Sequence, residues 1–567
     1  MSIDTASRQD YMQCEGSLLK RTVRATHNHI VHVMTLFWTY LVLPLLQAVQ
    51  SVLLFVANIT VMPLFALIQK SPAYPVLLEF FTEHRGWVLV GTVLPLSFLF
   101  DHYFRVRNWY YRHFLSAPHL HDVRVREVQR QVCAWNEAGR QKPMVTARPP
   151  WLAMSLRVES FKESCEKIKI NLHDILEVDT ARMTVRCEPL VDMGQITRHL
   201  IPMGYALSVM IEMDDLTVGG LLMGVGVEVS SHIYGFLSET VVAYEVVLGD
   251  GSLVRCTREE NADLFHALPW SHGTLGFLVA AELKIVPVKP YVHVKYIPCH
   301  TQDEYANKLS LITHAPNTPE FVEATIYSRE TAVIFTGDFS DGPPASQKHK
   351  INHVGRWWKP WFYKHVESFL EKGEDEEWIP LRQYYHRHTR SIFWELREVI
   401  PFCNAWWYRW VFGWLGAPKI AFIKLTSTPA VREASVYSHV VQDLVVPLTE
   451  LKNAVNLYDD AFDVYPLLFY PVRIYKQDDG YQGMLHTPRN LRTAEDGRQY
   501  EMYCDLGVYG VPPKVKNKQP WDAIAEVRRI EKFARDVNGY QLLYADCFMT
   551  RDEFETVSMC PAHRAAQ

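Results

Sequence analysis

Two apolar runs dominate the N-terminal part of the chain. The first, Ala25–Gln69, contains no Lys, Arg, Asp or Glu, and its core is Ile30–Leu67. A helix needs about 20 apolar residues to cross a membrane, so this run predicts one oblique crossing or a hairpin bent near Pro44. The second run, Trp87–Phe100, is short for a crossing, but the next residues can extend it into the interface. We therefore expect transmembrane helices in a membrane anchor over residues 1–116.

Basic residues on both sides of these runs predict their orientation. The flanking charges are Lys20, Arg21 and Arg24 before the first run and Arg105, Arg107 and Arg112 after the second. Positive charge favours the cytosolic side, so we expect an even number of crossings and a cytosolic body. A buried pair of soluble helices is the alternative, but such helices would show a charged face.

Residues 117–288 alternate between helical and strand periodicity. Val125, Val128, Val132 and Trp135 form one helical stripe. The further predicted elements are a strand Thr184–Leu190, a helix from Asp192 to Gly204, a strand Val241–Leu248 that turns at Gly249–Gly251, and a strand Gly276–Val286. The pattern is typical of an α+β domain.

Residues 289–567 also mix strands and helices. The expected elements are a hairpin over Phe321–Phe339, helices starting near Lys359 and Ile379, an exposed loop over Lys476–Gln499, a strand from Glu501 and a helix over Ile524–Val537. This half is predicted to be a second α+β domain.

Composition excludes several classes of protein. The 567 residues are 48% hydrophobic with a net charge of -5, so neither large-scale disorder nor a basic nucleic-acid face is expected. The ten cysteines show no zinc-ligand spacing, and no metal site is expected. A nicotinamide-binding GxGxxG motif after a strand is also missing from the sequence.

The segment Asp214–Gly235, DDLTVGGLLMGVGVEVSSHIYG, concentrates glycine and hydroxyl side chains. Glycine lets a backbone approach a ligand closely and direct several N–H groups at one anion. A pyrophosphate suits such a loop. Tight turns in a strand-rich fold are the structural alternative.

The order of elements around this segment resembles the FAD-binding domain of the vanillyl-alcohol oxidase/p-cresol methylhydroxylase superfamily. The resemblance implies a two-subdomain FAD-binding fold followed by a substrate-binding cap domain. It also implies FAD contacts by Thr217, Val218, Gly219, Gly220, Gly224, Gly226, Ser231, Tyr234, Gly235, Gly273, Thr274, Gly276 and Val279. His232 lies inside the glycine segment, where it either touches the flavin or caps the turn.

One segment departs from the superfamily pattern. The first phosphate loop is usually glycine-rich, whereas residues 146–157 read TARPPWLAMSLR, with Ala147 and Pro150 where glycine is expected. No histidine matches a covalent flavin linkage, so non-covalent FAD is expected.

Longer strings resemble the delta-24-sterol reductase family. They include INLHDILEVDT, KPWFYKHVESFL, LRQYYHRHTRSIFWEL and LLYADCFMTRDEF, between about Trp87 and Glu555. The resemblance implies reduction of the 24,25 double bond of a sterol such as desmosterol, with NADPH reducing FAD, at the endoplasmic reticulum membrane. The apolar run ending at Leu67 and the tail from Thr556 depart from the family pattern.

The reduction needs a proton donor, because charge develops on an alkene carbon as hydride is added. Candidates lie in Leu381–Glu395, and we select Tyr385, His388, Arg390 and Glu395. On one continuous helix, Tyr385 and His388 share a face. The alternative is an aromatic helix that packs a domain interface.

Two other functions stay open at this stage. One is an oxidase of the same superfamily that uses oxygen on an alcohol or lactone. The other is a membrane scaffold that binds flavin without turnover. The resemblance implies a sterol substrate and the apolar runs indicate membrane lipid as partners, but the sequence predicts neither the oligomeric state nor the NADPH docking site.

Overall fold

The computed structural model describes residues 84–153, 160–426, 437–477, 481 and 483–557. Four parts of the predicted pattern lie outside the described residues. They are the first apolar run, the basic residues before it, residues 154–157 of the 146–157 loop and the tail from Ser558. Their predicted roles remain predictions.

The second apolar run belongs to a longer helical segment than its apolar pattern predicts. Helices Arg85–Gly91 and Val93–Tyr110 are followed by a π-helical turn, Tyr111–Leu115. Gly86–Leu115 is long and apolar enough to cross a membrane, and it is the one such segment among the described residues. One candidate helix does not confirm the predicted set of transmembrane helices, which remains a prediction.

The chain divides into two compact units. The described part of one unit is residues 84–88 and Leu99–Ala117, and the other unit is Leu89–Phe98 with Pro118–Gln567. The finer division at residues 116 and 288 remains a prediction.

A mixed sheet-and-helix region follows in the larger unit. Strands β1 (Met144–Thr146) and β2 (Glu166–Ile168) pair in parallel. Six further strands form one sheet in the order β3-β4-β8-β6-β7, with β5 also on β8. Their bounds are β3 Ile175–Asp179, β4 Thr184–Cys187, β5 Tyr205–Leu207, β6 Val241–Val247, β7 Leu253–Cys256 and β8 Phe277–Pro287. The helices are His121–Glu137, Met193–Leu200, Val218–Met223, Ser231–Tyr234 and Ala262–Ala267.

Several local predictions for this region are confirmed. Val125, Val128 and Val132 are buried on one face of His121–Glu137. Asp192 caps the helix Met193–Leu200 by accepting a hydrogen bond from the Gln195 backbone N–H. β6 and β7 pair as an antiparallel hairpin, as the Gly249–Gly251 turn predicts.

The second sheet has nine strands within the described residues. Its order is β12-β9-β11-β10-β14-β16-β13-β17, with β15 on β16. The strands are β9 Tyr291–Cys299, β10 Phe321–Ile326, β11 Ala332–Ser340, β12 Asp375–Pro380, β13 Val440–Pro447, β14 Leu467–Tyr475, β15 Arg492–Thr493, β16 Gln499–Gly510 and β17 Tyr540–Gln541. The β10–β11 pair confirms the predicted hairpin.

Helices alternate with these strands along the described part of the chain. They are Gln302–Thr313, Phe362–Glu367, Phe369–Lys372, Leu381–Tyr385, Glu395–Val399, Trp406–Phe412, Ile420–Thr426, Leu451–Phe462, Pro513–Lys516, Ala523–Asp536 and Arg551–Val557.

The predicted continuous helix from Ile379 is wrong. Ile379 ends strand β12, the helix Leu381–Tyr385 is short, and turns separate it from Glu395–Val399. Ile392 and Phe393 have φ values of 46° and 55°, which no right-handed helix contains. The argument that Tyr385 and His388 share a helical face therefore does not apply.

Candidate functional site

The glycine segment is fastened to the rest of its domain at its start. The Val218 N–H donates to the Val191 carbonyl and the Gly219 N–H donates to the Pro189 carbonyl, both at 2.9 Å. Thr217 has an extended backbone and precedes the helix Val218–Met223. These bonds fix the position of the first turn of the helix Val218–Met223.

The glycines differ in what surrounds them. A Cβ would meet the chain's own atoms within 3 Å at Gly219, Gly224, Gly226, Gly235 and Gly276. These five glycines allow close packing of the chain on itself. At Gly220 the nearest atom, the Thr217 hydroxyl, lies 3.3 Å away, and at Gly273 nothing lies within 4 Å. Gly220 and Gly273 are also exposed, so they leave room for an outside ligand.

Two loops bring these open glycines to one edge of the domain. The His272 N–H donates to the Met223 carbonyl at 2.7 Å, which joins the Gly273 loop to the end of the helix Val218–Met223. Arg148 donates to the Thr217 hydroxyl at 3.3 Å, so the loop of residues 146–157 contributes a cation beside the glycine segment. We call Thr217, Gly220, Gly224, Gly273 and Thr274 the glycine edge. Open backbone together with an arginine fits the diphosphate of FAD.

Other predicted cofactor residues face the protein interior. Ser231 is buried and accepts a hydrogen bond from the Glu228 N–H at 2.9 Å. Tyr234 donates to Glu320 at 3.1 Å. Val218 and Val279 are fully buried among core side chains. Contact between these residues and the cofactor remains a prediction.

His232 is buried within the glycine segment. Its Nε2 lies 2.8 Å from the Pro319 carbonyl, so this nitrogen carries the proton. Burial lowers the pKa of His232 to about 4, which makes the imidazole neutral near pH 7.

A buried cluster of charged side chains lies where the glycine segment meets the nine-stranded sheet. We call Glu212, Glu228, Glu323, Arg387, His388 and Tyr470 the acid cluster. Each of the six is 4% exposed or less. Three carboxylates therefore share one arginine in the protein interior.

Glu323 on β10 makes the strongest contacts in the acid cluster. The Arg387 guanidinium donates to Glu323 through Nε at 2.9 Å and also through Nη2. His388 Nε2 lies 2.9 Å from the other oxygen of Glu323. A carboxylate with two such partners is the natural anion of the cluster.

Glu212 and Glu228 are held less completely. The nearest guanidinium nitrogen of Arg387 is 3.7 Å from Glu212 and 3.8 Å from Glu228. The Tyr470 hydroxyl lies 3.2 Å from Glu212 Oε2, while Glu212 Oε1 is buried without a hydrogen-bond partner. Glu228 accepts from the backbone N–H groups of Glu212 and Val229.

Burial is the main electrostatic influence on both carboxyl groups. It raises the pKa of Glu228 to about 8, with Arg387 opposing the shift and Glu323 adding to it. The pKa of Glu212 is raised well above its usual range by burial and by the charge of Glu228. Burial also lowers the pKa of His388. The cluster therefore holds carboxylic acid protons near neutral pH.

The four predicted catalytic residues do not form one site in the folded chain. His388 belongs to the acid cluster, and its ring stacks on Phe393 with centroids 5.0 Å apart. Arg390 donates to the carbonyls of Val354 and Trp357 at 2.8 and 2.7 Å.

Tyr385 borders the acid cluster, where the charge of Glu228 acts on it, whereas Glu395 pairs with a residue outside the cluster. The buried Tyr385 ring makes an edge contact with Phe321 at 6.0 Å. Glu395 forms an ion pair of 2.9 Å with His439. The segment Leu381–Glu395 thus supplies His388 and the unselected Arg387 to the cluster.

Glu212, Glu228 and Glu323 were not selected from the sequence. Each is a single acidic residue in an otherwise apolar stretch: SVMIEM, GVGVEV and FVEATI. A lone carboxylate in a buried run is costly unless it has a purpose or a partner. That pattern is the sequence feature that points to all three.

Comparisons with known proteins agree with this geometry. Residues 122–257 match the family model described as FAD binding domain, which contains the glycine segment. FAD is therefore confirmed as the cofactor.

Several relatives that match over most of their length are Delta(24)-sterol reductases or a homolog of them. The human protein is 47% identical over 481 residues, covering 84% of this chain and 89% of the relative. The Arabidopsis thaliana protein is 37% identical and covers 82% and 85%. The Caenorhabditis elegans homolog is 41% identical and covers 86% and 92%. The chain belongs to the Delta(24)-sterol reductase family.

Proposed function

We propose that this chain uses NADPH and non-covalent FAD to reduce the 24,25 double bond of a sterol side chain, as in the conversion of desmosterol to cholesterol. The observation that carries the proposal is similarity over more than four-fifths of the chain to reductases from animals and plants. The glycine edge provides the matching cofactor geometry.

The glycine edge is the proposed binding place of the FAD diphosphate. Gly220 and Gly273 leave open backbone there, and Arg148 adds positive charge beside Thr217. Bound FAD supplies the hydride chemistry of the reaction. The closely packed glycines and Ser231 support the conformation of the glycine edge from the protein interior.

The acid cluster is the proposed source of the proton. An isolated alkene accepts hydride only if its other carbon receives a proton, so an acid must remain protonated near neutral pH. In this reduction, a carboxylic O–H bond breaks and its proton forms a C–H bond with one alkene carbon. Hydride forms the second C–H bond, with the other alkene carbon. The two electrons come from NADPH.

Glu212 and Glu228 suit this role better than the residues selected from sequence. Glu212 precedes the glycine segment and Glu228 lies within it. Their raised pKa values keep a proton available near neutral pH. Arg387 and His388 hold Glu323 as the neighbouring anion. We infer that His388 positions this anion and that Tyr385, Arg390 and Glu395 support the surrounding fold.

The finer organisation is also a proposal. We infer a membrane anchor in residues 1–116, an FAD-binding domain in 117–288 and a substrate-binding cap in 289–567. The Gly86–Leu115 helix supports membrane association. A sterol dissolves in lipid, so an anchor at the endoplasmic reticulum membrane with cytosolic catalytic domains suits the substrate.

A product assay tests the proposed reaction. The purified chain in lipid should be yellow and should convert desmosterol to cholesterol with NADPH. Release of hydrogen peroxide with a polar alcohol or lactone would support the oxidase alternative instead. Bound FAD that NADPH never reduces would support the scaffold.

A matched pair of glycine variants tests the cofactor position. Gly273 and Gly139 both have positive φ, 78° and 85°, and neither has an atom within 4 Å of a Cβ position. Alanine therefore adds similar backbone strain at each site, about 1 kcal/mol. Gly273→Ala should weaken FAD binding while Gly139→Ala leaves it unchanged, as measured by flavin fluorescence titration. Equal FAD affinities would remove Gly273 from the site.

A further inference from the structure

A group of large apolar side chains lies on the surface of the larger unit. We call Trp357, Trp406, Trp410, Val411 and Trp414 the tryptophan surface. Their exposed fractions are 36%, 70%, 54%, 56% and 50%. Contiguous exposed apolar side chains of this size mark an interaction site.

Local structure holds these side chains together. Trp406 and Trp410 are four residues apart on the helix Trp406–Phe412, so they share a face. The Trp357 and Trp410 rings lie 5.8 Å apart. The Trp357 carbonyl is only 2.5 Å from where a Gly413 Cβ would stand, so glycine is required for this close approach.

The charge of the surrounding chain is positive. Residues 399–426 contain no acidic residue, and Arg409 lies beside the tryptophans on their helix. Lys419 pairs with Asp215 at 2.8 Å and Lys424 is buried, so neither adds free charge to this surface. Arg356 is exposed and lies 5.4 Å from the Trp358 ring. Tryptophan with basic side chains is the composition that favours the interface of a phospholipid membrane.

The tryptophan surface and the chain that follows it contact Ser97 and Phe98, which lie in the apolar stretch Leu89–Phe98 of the larger unit. Within the larger unit, Phe98 makes an edge contact with Trp414 at 4.9 Å. The Lys419 N–H donates to the Ser97 hydroxyl at 2.9 Å. Both Ser97 and Phe98 belong to the Gly86–Leu115 segment. The exposed tryptophans therefore adjoin Leu89–Phe98, the apolar stretch of this segment that belongs to the larger unit.

We propose that the tryptophan surface docks into the headgroup region of a phospholipid bilayer. The indole rings are amphipathic and suit the boundary between headgroups and acyl chains. The exposed Arg356 then faces lipid phosphates. This contact is additional to any spanning helix, and it would hold the larger unit against the membrane.

Fluorine NMR of 5-fluorotryptophan tests the proposal on the full chain in phosphatidylcholine and phosphatidylserine vesicles. Single Trp→Phe substitutions assign Trp406, Trp410 and Trp414. We expect loss of these resonances when a lipid carries a nitroxide near its headgroup, and survival when gadolinium chelate is added to the water. The half-buried Trp521, which packs in a different core cluster, should keep its resonance with the nitroxide lipid.

Two results would overturn the proposal. Loss of the three resonances with the aqueous chelate alone would place the surface in water. Survival with both agents would identify an interface with protein, and a dimeric mass would make that protein a second copy.

A triple variant checks the same surface independently. In W406S/W410S/W414S, the Trp357 resonance should lose its sensitivity to the nitroxide lipid while thermal unfolding stays unchanged. Unaltered sensitivity of Trp357 would also contradict docking.

Discussion

The acid cluster and the tryptophan surface depart in opposite directions from the usual arrangement of a folded chain. The cluster buries three carboxylates and an arginine, while the surface exposes four tryptophans to at least one-third of their area. Ordinary stability favours neither arrangement. The difference teaches that interior charge suits proton chemistry here, whereas exterior apolar area suits lipid.

The two regions should also respond differently to substitution. A buried ion pair loses its balance when one partner is removed, because the remaining charge stays in a poorly polarisable interior. An exposed aromatic side chain loses little when it becomes polar. Comparing their effects on unfolding therefore separates interior chemistry from surface docking.

The largest expected effect is that of Arg387→Met. Arg387 is fully buried and is the only arginine in the acid cluster, so its removal should lower the free energy of unfolding by about 3–5 kcal/mol. Denaturant unfolding measures this loss. Arg182→Met is the control, since the Arg182 side chain is 60% exposed and pairs with Asp179. Equal losses for both variants would contradict the buried charge arrangement.

The second effect is a fall in stability as pH rises. The pKa of Glu228 is about 8 in the folded chain, whereas a free glutamate titrates near pH 4.3. The folded chain therefore keeps a proton that the unfolded chain has released between these values. The groups facing Glu228 are Glu212, Glu323, Arg387, Tyr384, Tyr385, Tyr470 and Asp505.

Stability should decline by up to about 1.4 kcal/mol per pH unit for each such proton. Glu228→Gln should flatten this decline, as followed by thermal unfolding from about pH 5 to pH 8. Glu371→Gln, on the exposed side of Phe369–Lys372, should leave the slope unchanged. An unchanged slope in Glu228→Gln would mean that this carboxyl group is already ionised.

The smallest effect is expected for Trp410→Ser. Its side chain is 54% exposed, so the free energy of unfolding should change by about 0.5 kcal/mol or less. Denaturant unfolding in detergent measures it. A matched substitution at the buried Trp394, Trp394→Ser, should cost about 3–5 kcal/mol. A comparable loss at Trp410 would show that it packs in the fold.

Sequence reasoning succeeds where the determining residues are close in the chain. The valine stripe of His121–Glu137, the Asp192 cap and the β10–β11 hairpin follow from local spacing and turn residues. The concentration of glycines indicates the cofactor loop for the same reason. Local pattern cannot distinguish Gly220, which is open, from Gly226, which packs on Leu237.

Sequence reasoning fails where contacts between distant segments determine the structure. The aromatic stretch from Ile379 has the composition of a helix, but Arg387 and His388 turn inward to Glu323 on another strand. The acid cluster joins residues from 212 to 470, so no short motif contains it. Its members become related only when the nine-stranded sheet meets the glycine segment.

The most direct test of the account follows the flavin spectrum in two anaerobic stages. NADPH should bleach the flavin of the unaltered chain, and added desmosterol should restore its colour. Glu212→Gln should bleach at the normal rate but recover colour far more slowly, because the proton source is removed. Glu531→Gln, a buried carboxyl group in a separate helix, should recover normally. Normal recovery in both Glu212→Gln and Glu228→Gln would contradict the proposed role of the acid cluster.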